Sequence, residues 1–75
     1  MKWTRKTKEF DYADYTSDNQ KFKIRDMAIH DQERYTEHIK SGGKKTEYWA
    51  LIDDNENIIY WGTTVKQLKE LAETL

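Results

Sequence analysis

The chain has 75 residues and a formal net charge of −1, with 13 Lys and Arg against 14 Asp and Glu and no cysteine. That length holds one domain at most; the missing cysteines exclude disulfides, thiolate zinc sites and cysteine nucleophiles, and the near-neutral total argues against a non-specific nucleic-acid binder. Leu, Ile, Val and Phe are only 13 residues, yet three Trp, five Tyr and two Phe supply large burial area per side chain, so the expectation is a small folded domain with an aromatic-heavy core.

Residues 1–20 open with the basic run Lys2, Arg5, Lys6 and Lys8. No apolar stretch follows it, so a signal peptide is not expected. A short strand is placed around Trp3 or around Phe10-Tyr12, with Thr16-Ser17-Asp18-Asn19-Gln20 as a turn; the alternative is a loosely ordered lead segment. From Lys21 the chain alternates, Phe22 and Ile24 on one side and Lys21, Lys23 and Arg25 on the other, which predicts a strand over about 21–29. Residues 31–40 support two readings. Tyr35 and Ile39 are four apart, as on a helix that Gly42-Gly43 would end. Thr36 and Tyr35 also suit an extended arm turning at Ser41-Gly42-Gly43, and the extended reading is preferred because strand-like residues follow at once.

The last third is the clearest. Tyr48-Trp49-Ala50-Leu51-Ile52 reads as a strand, Asp53-Asp54-Asn55-Glu56-Asn57 as a turn, and Ile58-Ile59-Tyr60-Trp61 as the return strand. Gly62 permits a change of direction, and Thr64 with Gln67 forms a capping box for a helix whose one face holds Val65, Leu68, Leu71, Ala72 and Leu75. The expected architecture is therefore α+β: an antiparallel sheet of three to four strands with one C-terminal amphipathic helix on one face.

This hairpin is apolar at both parities. Regular alternation puts Trp49, Leu51, Ile59 and Trp61 on one face and Tyr48, Ala50, Ile52, Ile58 and Tyr60 on the other. One helix covers one face only. The other needs cover from the N-terminal segment (Trp3, Phe10, Tyr12, Tyr15), from a second copy forming a homodimer, or from a protein partner. Tyr48, Ile52, Ile58 and Tyr60 are thus the candidate protein-binding residues.

Catalytic and metal chemistry find no foothold. His30 and His38 are the only histidines and lack ligand spacing. Asp53, Asn55 and Asn57 imitate the start of a calcium loop, but Ile58 stands where Gly is required and Thr64 where the bidentate Glu belongs. Ser17 and Ser41 sit in polar turns without a nucleophile elbow, and Gly42-Gly43-Lys44-Lys45 lacks the spacing of a phosphate loop. A chain this short also has little volume for a pocket of about 300 Å³ or more. No enzyme, cofactor or metal is expected, no run is long and apolar enough for a membrane span, and a reducing, cytoplasmic location suits a small domain without staples. Charge is blocked along the chain, with −4 over residues 46–75 and +3 over 21–45. In the latter block Lys21, Lys23, Arg25, Lys40, Lys44 and Lys45 would form one basic patch if their segments were neighbours, a candidate nucleic-acid-binding surface; the alternative is a solvated face guarding an edge strand.

The Trp49-Ala50-Leu51-Ile52-Asp53 strand, Ile58, and Gly62-Thr63-Thr64-Val65-Lys66-Gln67-Leu68-Lys69, with Tyr15-Thr16-Ser17-Asp18-Asn19 upstream, resemble short proteins of bacteriophages and prophages of Gram-positive bacteria. These often end in W-x-L-x-D, a turn and a Thr-capped helix. The resemblance implies a setting rather than an activity: a non-catalytic module that binds a host or phage protein through its sheet face. The strand–strand–strand–helix order also resembles arm-type DNA-binding domains of phage and transposon integrases, which implies nucleic-acid binding as the alternative. The acidic turn Asp53, Asp54 and Glu56 departs from that pattern, since it would repel phosphate.

Overall fold

Alternation carries the chain into a meander of strands, and two capped helical segments interrupt it. The computed structural model describes residues 1–7 and 13–75. The strands are β1 (Trp3–Thr7), β2 (Ala13–Ser17), β3 (Phe22–Asp26), β4 (Trp49–Asp53) and β5 (Ile58–Gly62). They lie side by side in chain order in one five-stranded sheet, and every neighbouring pair is antiparallel. Between β3 and β4 come α1 (Met27–His30) and α2 (Gln32–Lys40); α3 (Val65–Ala72) follows β5. The α+β class is as expected, but the sheet has more strands than expected and the described chain has more than one helical segment. Within the N-terminal segment, β1 and β2 extend the sheet beyond β3. The strand expected at Phe10-Tyr12 lies outside the described residues.

Two corrections concern residues 21–43. The strand expected to reach residue 29 stops at Asp26, whose carboxylate Oδ1 accepts from the Ile29 N–H at 3.4 Å and caps α1. Residues 32–40 are helical, not extended. Asp31 caps α2 by accepting from the Arg34 N–H at 3.3 Å, and its Oδ2 takes the Arg34 Nε at 2.6 Å. At the other end Gly42 has φ +99, its N–H donates to Ile39 O at 3.1 Å, and the Gly43 N–H donates to His38 O at 2.9 Å. These paired bonds, with glycine in the left-handed conformation, make a Schellman stop. The two glycines end a helix rather than turn a hairpin.

The sheet buries residues on both faces. On one, α3 presses Leu68 and Ala72 against Ile24 and Leu51, with Trp3, Tyr15, Phe22 and Trp49 around them. On the other, Met27, Ala50 and Ile52 form a second cluster covered by Tyr35 of α2 and flanked by Ile58 and Trp61. The second face is thus closed by the chain's own residues 27–40; of the N-terminal aromatics, Trp3 and Tyr15 serve the α3 face, and Phe10 and Tyr12 lie outside the described residues. α3 begins as the capping box predicts, with Thr64 Oγ1 accepting from the Gln67 N–H at 3.1 Å; the Gln67 Oε1 reaches back to the Thr63 N–H at 3.0 Å.

A β-bulge corrects the facial pairing of β5. The register runs Trp49↔Gly62, Ala50↔Trp61 and Leu51↔Tyr60, then slips so that Ile52 pairs with Ile58. Ile59 is the extra residue. Directly opposed residues share a face, so Trp61 joins Ala50, Ile52 and Ile58, and Tyr60 joins Leu51 on the α3 side. Gly62 has a different reason from the one expected. Its φ is not in the left-handed region; a Cβ there would lie 2.8 Å from Leu68 Cδ2 and 2.9 Å from Leu68 Cγ. Glycine lets α3 lie close on β5.

Candidate functional site

The four residues singled out for protein binding do not share a surface. Ile52 is 0% exposed, and Ile58 is half-buried against the same core. Tyr48 precedes β4, where its carbonyl accepts from the Met27 N–H at 2.7 Å and its ring lies 6.0 Å from that of Trp49. Tyr60 stands on β5 and is 47% exposed; its neighbour Ile59, not singled out from the sequence, is 38% exposed. Both belong to the outer edge of the sheet.

The basic residues do not gather either. Arg25 is 8% exposed, and its Nη1 lies 3.3 Å from Glu56 Oε2; Lys23 Nζ lies 3.8 Å from Glu56 Oε1. Glu56 is the left-handed residue of the hairpin turn, φ +64, and its carbonyl also accepts from Arg34 Nη1 at 2.9 Å. Burial pushes the Glu56 carboxyl up, but Arg25, Lys23 and Arg34 outweigh it and hold the group below its ordinary value. Glu56 of the acidic turn thus faces both Lys23 and Arg25 of the basic strand. Lys21 lies beyond the Phe22↔Asp53 pair, whereas Lys44 and Lys45 precede Trp49 at the other end of β4, with Lys40 beside them around a groove lined by Tyr35, Thr36 and Ile39. The two basic sets stand at opposite ends of the β3–β4 ladder.

The remaining sequence candidates are structural. Asp53 Oδ1 accepts from the Asn55 N–H at 2.9 Å and the Asn57 N–H at 2.8 Å, which holds its carboxyl below the ordinary value and closes the turn. Ser17 Oγ donates to Asn19 Oδ1 at 2.7 Å and accepts from the Phe22 N–H at 3.1 Å, fastening the β2–β3 turn. His38 sits on α2. Its ring stacks on Trp61 at 4.2 Å with planes 8° apart, Gly43 lies against it, and its Nε2 is 3.3 Å from Glu47 Oε1. The Lys44 N–H, bonded to that oxygen at 2.8 Å, is the main reason the Glu47 carboxyl lies below its ordinary value. No group of three or more His, Cys, Asp or Glu fit to hold a metal occurs among the described residues, and none of their helices is long and apolar enough to cross a membrane.

What the fold leaves open is the rim of β5. Its sequence, Ile58-Ile59-Tyr60-Trp61-Gly62, contains no charge and no proline, and among the described residues no strand pairs with its outer side. The opposite edge, β1, carries Arg5 and Lys6. Charge or proline is how exposed edges are usually guarded, so β1 is guarded and β5 is not. Surface grooves run on both sides of β5. One of ≈ 290 Å³ lies toward α2, lined by Arg34, Glu37, His38, Ser41, Ile58 and Trp61. The other, of ≈ 360 Å³, lies toward α3, lined by Tyr60, Gln67, Glu70, Leu71 and Thr74. Both grooves are open to the surface. Comparison with protein-family models, with curated proteins and with solved structures returned no match.

Proposed function

We propose that the protein is a non-catalytic interaction module that takes up an extended segment of a protein partner along the outer edge of β5. The observation that carries this reading is an uncharged, exposed edge strand with a groove on each side. A strand added there gains main-chain hydrogen bonds from the unpaired N–H and C=O groups of β5. Its side chains alternate between faces, so successive residues would enter the α2-side groove and the α3-side groove in turn. The sheet faces over β3 and β4 are covered by the chain's own helices, which moves the docking surface from face to edge. The resemblance to small phage and prophage proteins supplies the setting, with a host or phage protein as partner. The ion pairs of Lys23 and Arg25 with Glu56 favour this reading over a nucleic-acid surface on that strand.

The test is selection of short peptides from a random display library by the intact protein, with the double variant Ile59→Lys, Tyr60→Lys as the control. Both side chains are exposed, and an unchanged circular dichroism spectrum checks that the variant keeps the fold. Enrichment of peptides with alternating apolar residues that bind the parent and not the variant supports the reading. Failure to enrich any peptide, or equal binding to the variant, refutes it.

A further inference from the structure

The chemistry of the segment that β5 accepts is also legible, given the edge-binding reading above. We infer that the partner segment is an apolar strand carrying Lys or Arg at its flanks. The rim of β5 is acidic, and its anions are available. Glu37 lines the α2-side groove and Glu70 the α3-side groove; both are exposed. Asp54 is exposed in the hairpin turn that leads from β4 to β5. Among the described residues none of these three takes part in an ion pair. The one Lys or Arg that lines either groove, Arg34, is by contrast already engaged, and the exposed Lys40 and Lys66 line neither groove. Arg34 is held by Asp31 at 2.6 Å and by the Glu56 carbonyl at 2.9 Å, Lys23 faces Glu56, and Lys69 lies over the Tyr15 ring at 4.8 Å. The centre of the site is thus neutral and apolar, and its border is negative. A segment with an apolar middle and basic ends matches both. A second copy of this chain matches only the first. Antiparallel pairing of β5 with its twin keeps α3 and its twin on one face and α2 and its twin on the other, so it brings a second set of the same anions to each groove rather than the cations that would match them.

Three synthetic peptides decide the matter. They share one alternating apolar core and differ only in flanking residues: Lys pairs, Ser pairs or Glu pairs. Each is titrated into the full chain while the β5 amide resonances are followed, and the free protein is sedimented in parallel. At about 50 mM salt the Lys-flanked peptide should bind about tenfold tighter than the Ser-flanked one, and the Glu-flanked one more weakly still. The gap should narrow at about 500 mM salt, where such charges are screened. The variant Glu37→Gln, Glu70→Gln should lose the preference while keeping the apolar binding. Equal affinity of the three peptides overturns the charge inference and leaves edge binding intact. Peptides that leave the β5 amides unmoved overturn edge binding itself. A stable dimer with β5 at its interface makes the second copy the occupant and overturns the inference.

Discussion

Gly62→Ala tests how α3 is seated. An alanine Cβ would stand 2.8 Å from Leu68 Cδ2 and 2.9 Å from Leu68 Cγ, well inside ordinary carbon contact. Leu68 is 0% exposed and packs with Ile24, Leu51 and Ala72, so it has no open space to retreat into. Crowding one methyl into such a core costs about 1–3 kcal/mol. For a domain of this size that corresponds to a fall in Tm of about 4–8 °C per kcal/mol. Thermal unfolding followed by circular dichroism measures it, and the double mutant isolates the cause. Leu68→Ala alone should cost about 2–5 kcal/mol by leaving a cavity. Combined with Gly62→Ala, the new methyl enters that cavity, so the pair should cost clearly less than the two single losses together. A Gly62→Ala variant as stable as the parent, or additive single costs, would refute the close approach of α3 to β5.

Other outcomes follow from the turns and charges. Gln20 has φ +59 in an exposed turn, so Gln20→Gly should stabilise by about 0.5–1 kcal/mol in urea unfolding, and a loss of stability would contradict the strained backbone. Glu56→Gln removes the carboxylate facing Lys23 and Arg25; because Glu56 is half exposed the expected loss is modest, about 1 kcal/mol, and it should shrink in high salt. The carboxyls of Asp31, Glu47, Asp53 and Glu56 all sit below their ordinary values when folded, so the unfolded chain binds more protons in acid. Their contribution is present above the ordinary carboxylate range, about pH 4, and is lost as pH falls below it, which a series of urea midpoints from about pH 7 to about pH 3 reads directly. Asp26 has the opposite sign. Burial raises its carboxyl, so it favours the fold below the ordinary carboxylate range and loses that contribution as pH rises. Asp26→Asn keeps a cap and should therefore be tolerated at neutral pH better than Asp31→Asn.

The hairpin and α3 are legible in the sequence because several local signals agree there: aromatic and β-branched runs, an Asx-rich turn and a capping box. The segment 26–43 is not, because its signals are read from single residues. Asp26 and Asp31 are helix caps, but an aspartate before a β-like Met-Ala-Ile reads equally as a strand end. Gly42 and Gly43 serve a helix stop and a hairpin equally well until the backbone φ is known. The bulge at Ile59 leaves no mark in the pattern, and it alone exchanges the faces of Tyr60 and Trp61. Of the candidate site, Tyr60 is accessible to sequence reasoning, whereas regular alternation places Ile59 on the face of Trp49 and Leu51. The contrast between an uncharged β5 and a charged β1 is written in the residues, yet it carries meaning only once the strand order shows which two strands are edges. The pairing of Lys23 and Arg25 with Glu56 joins residues about thirty positions apart, which no local pattern reveals.

The most direct measurement of the central claim is amide hydrogen exchange at Ile58–Gly62 in the presence and absence of a saturating Lys-flanked apolar peptide. If the outer side of β5 accepts a strand, its outward N–H groups exchange fast in the free protein and become protected in the complex, while the amides of β1 keep their rates. Unchanged exchange along β5 under peptide saturation, or protection appearing on β1 instead, would contradict the account.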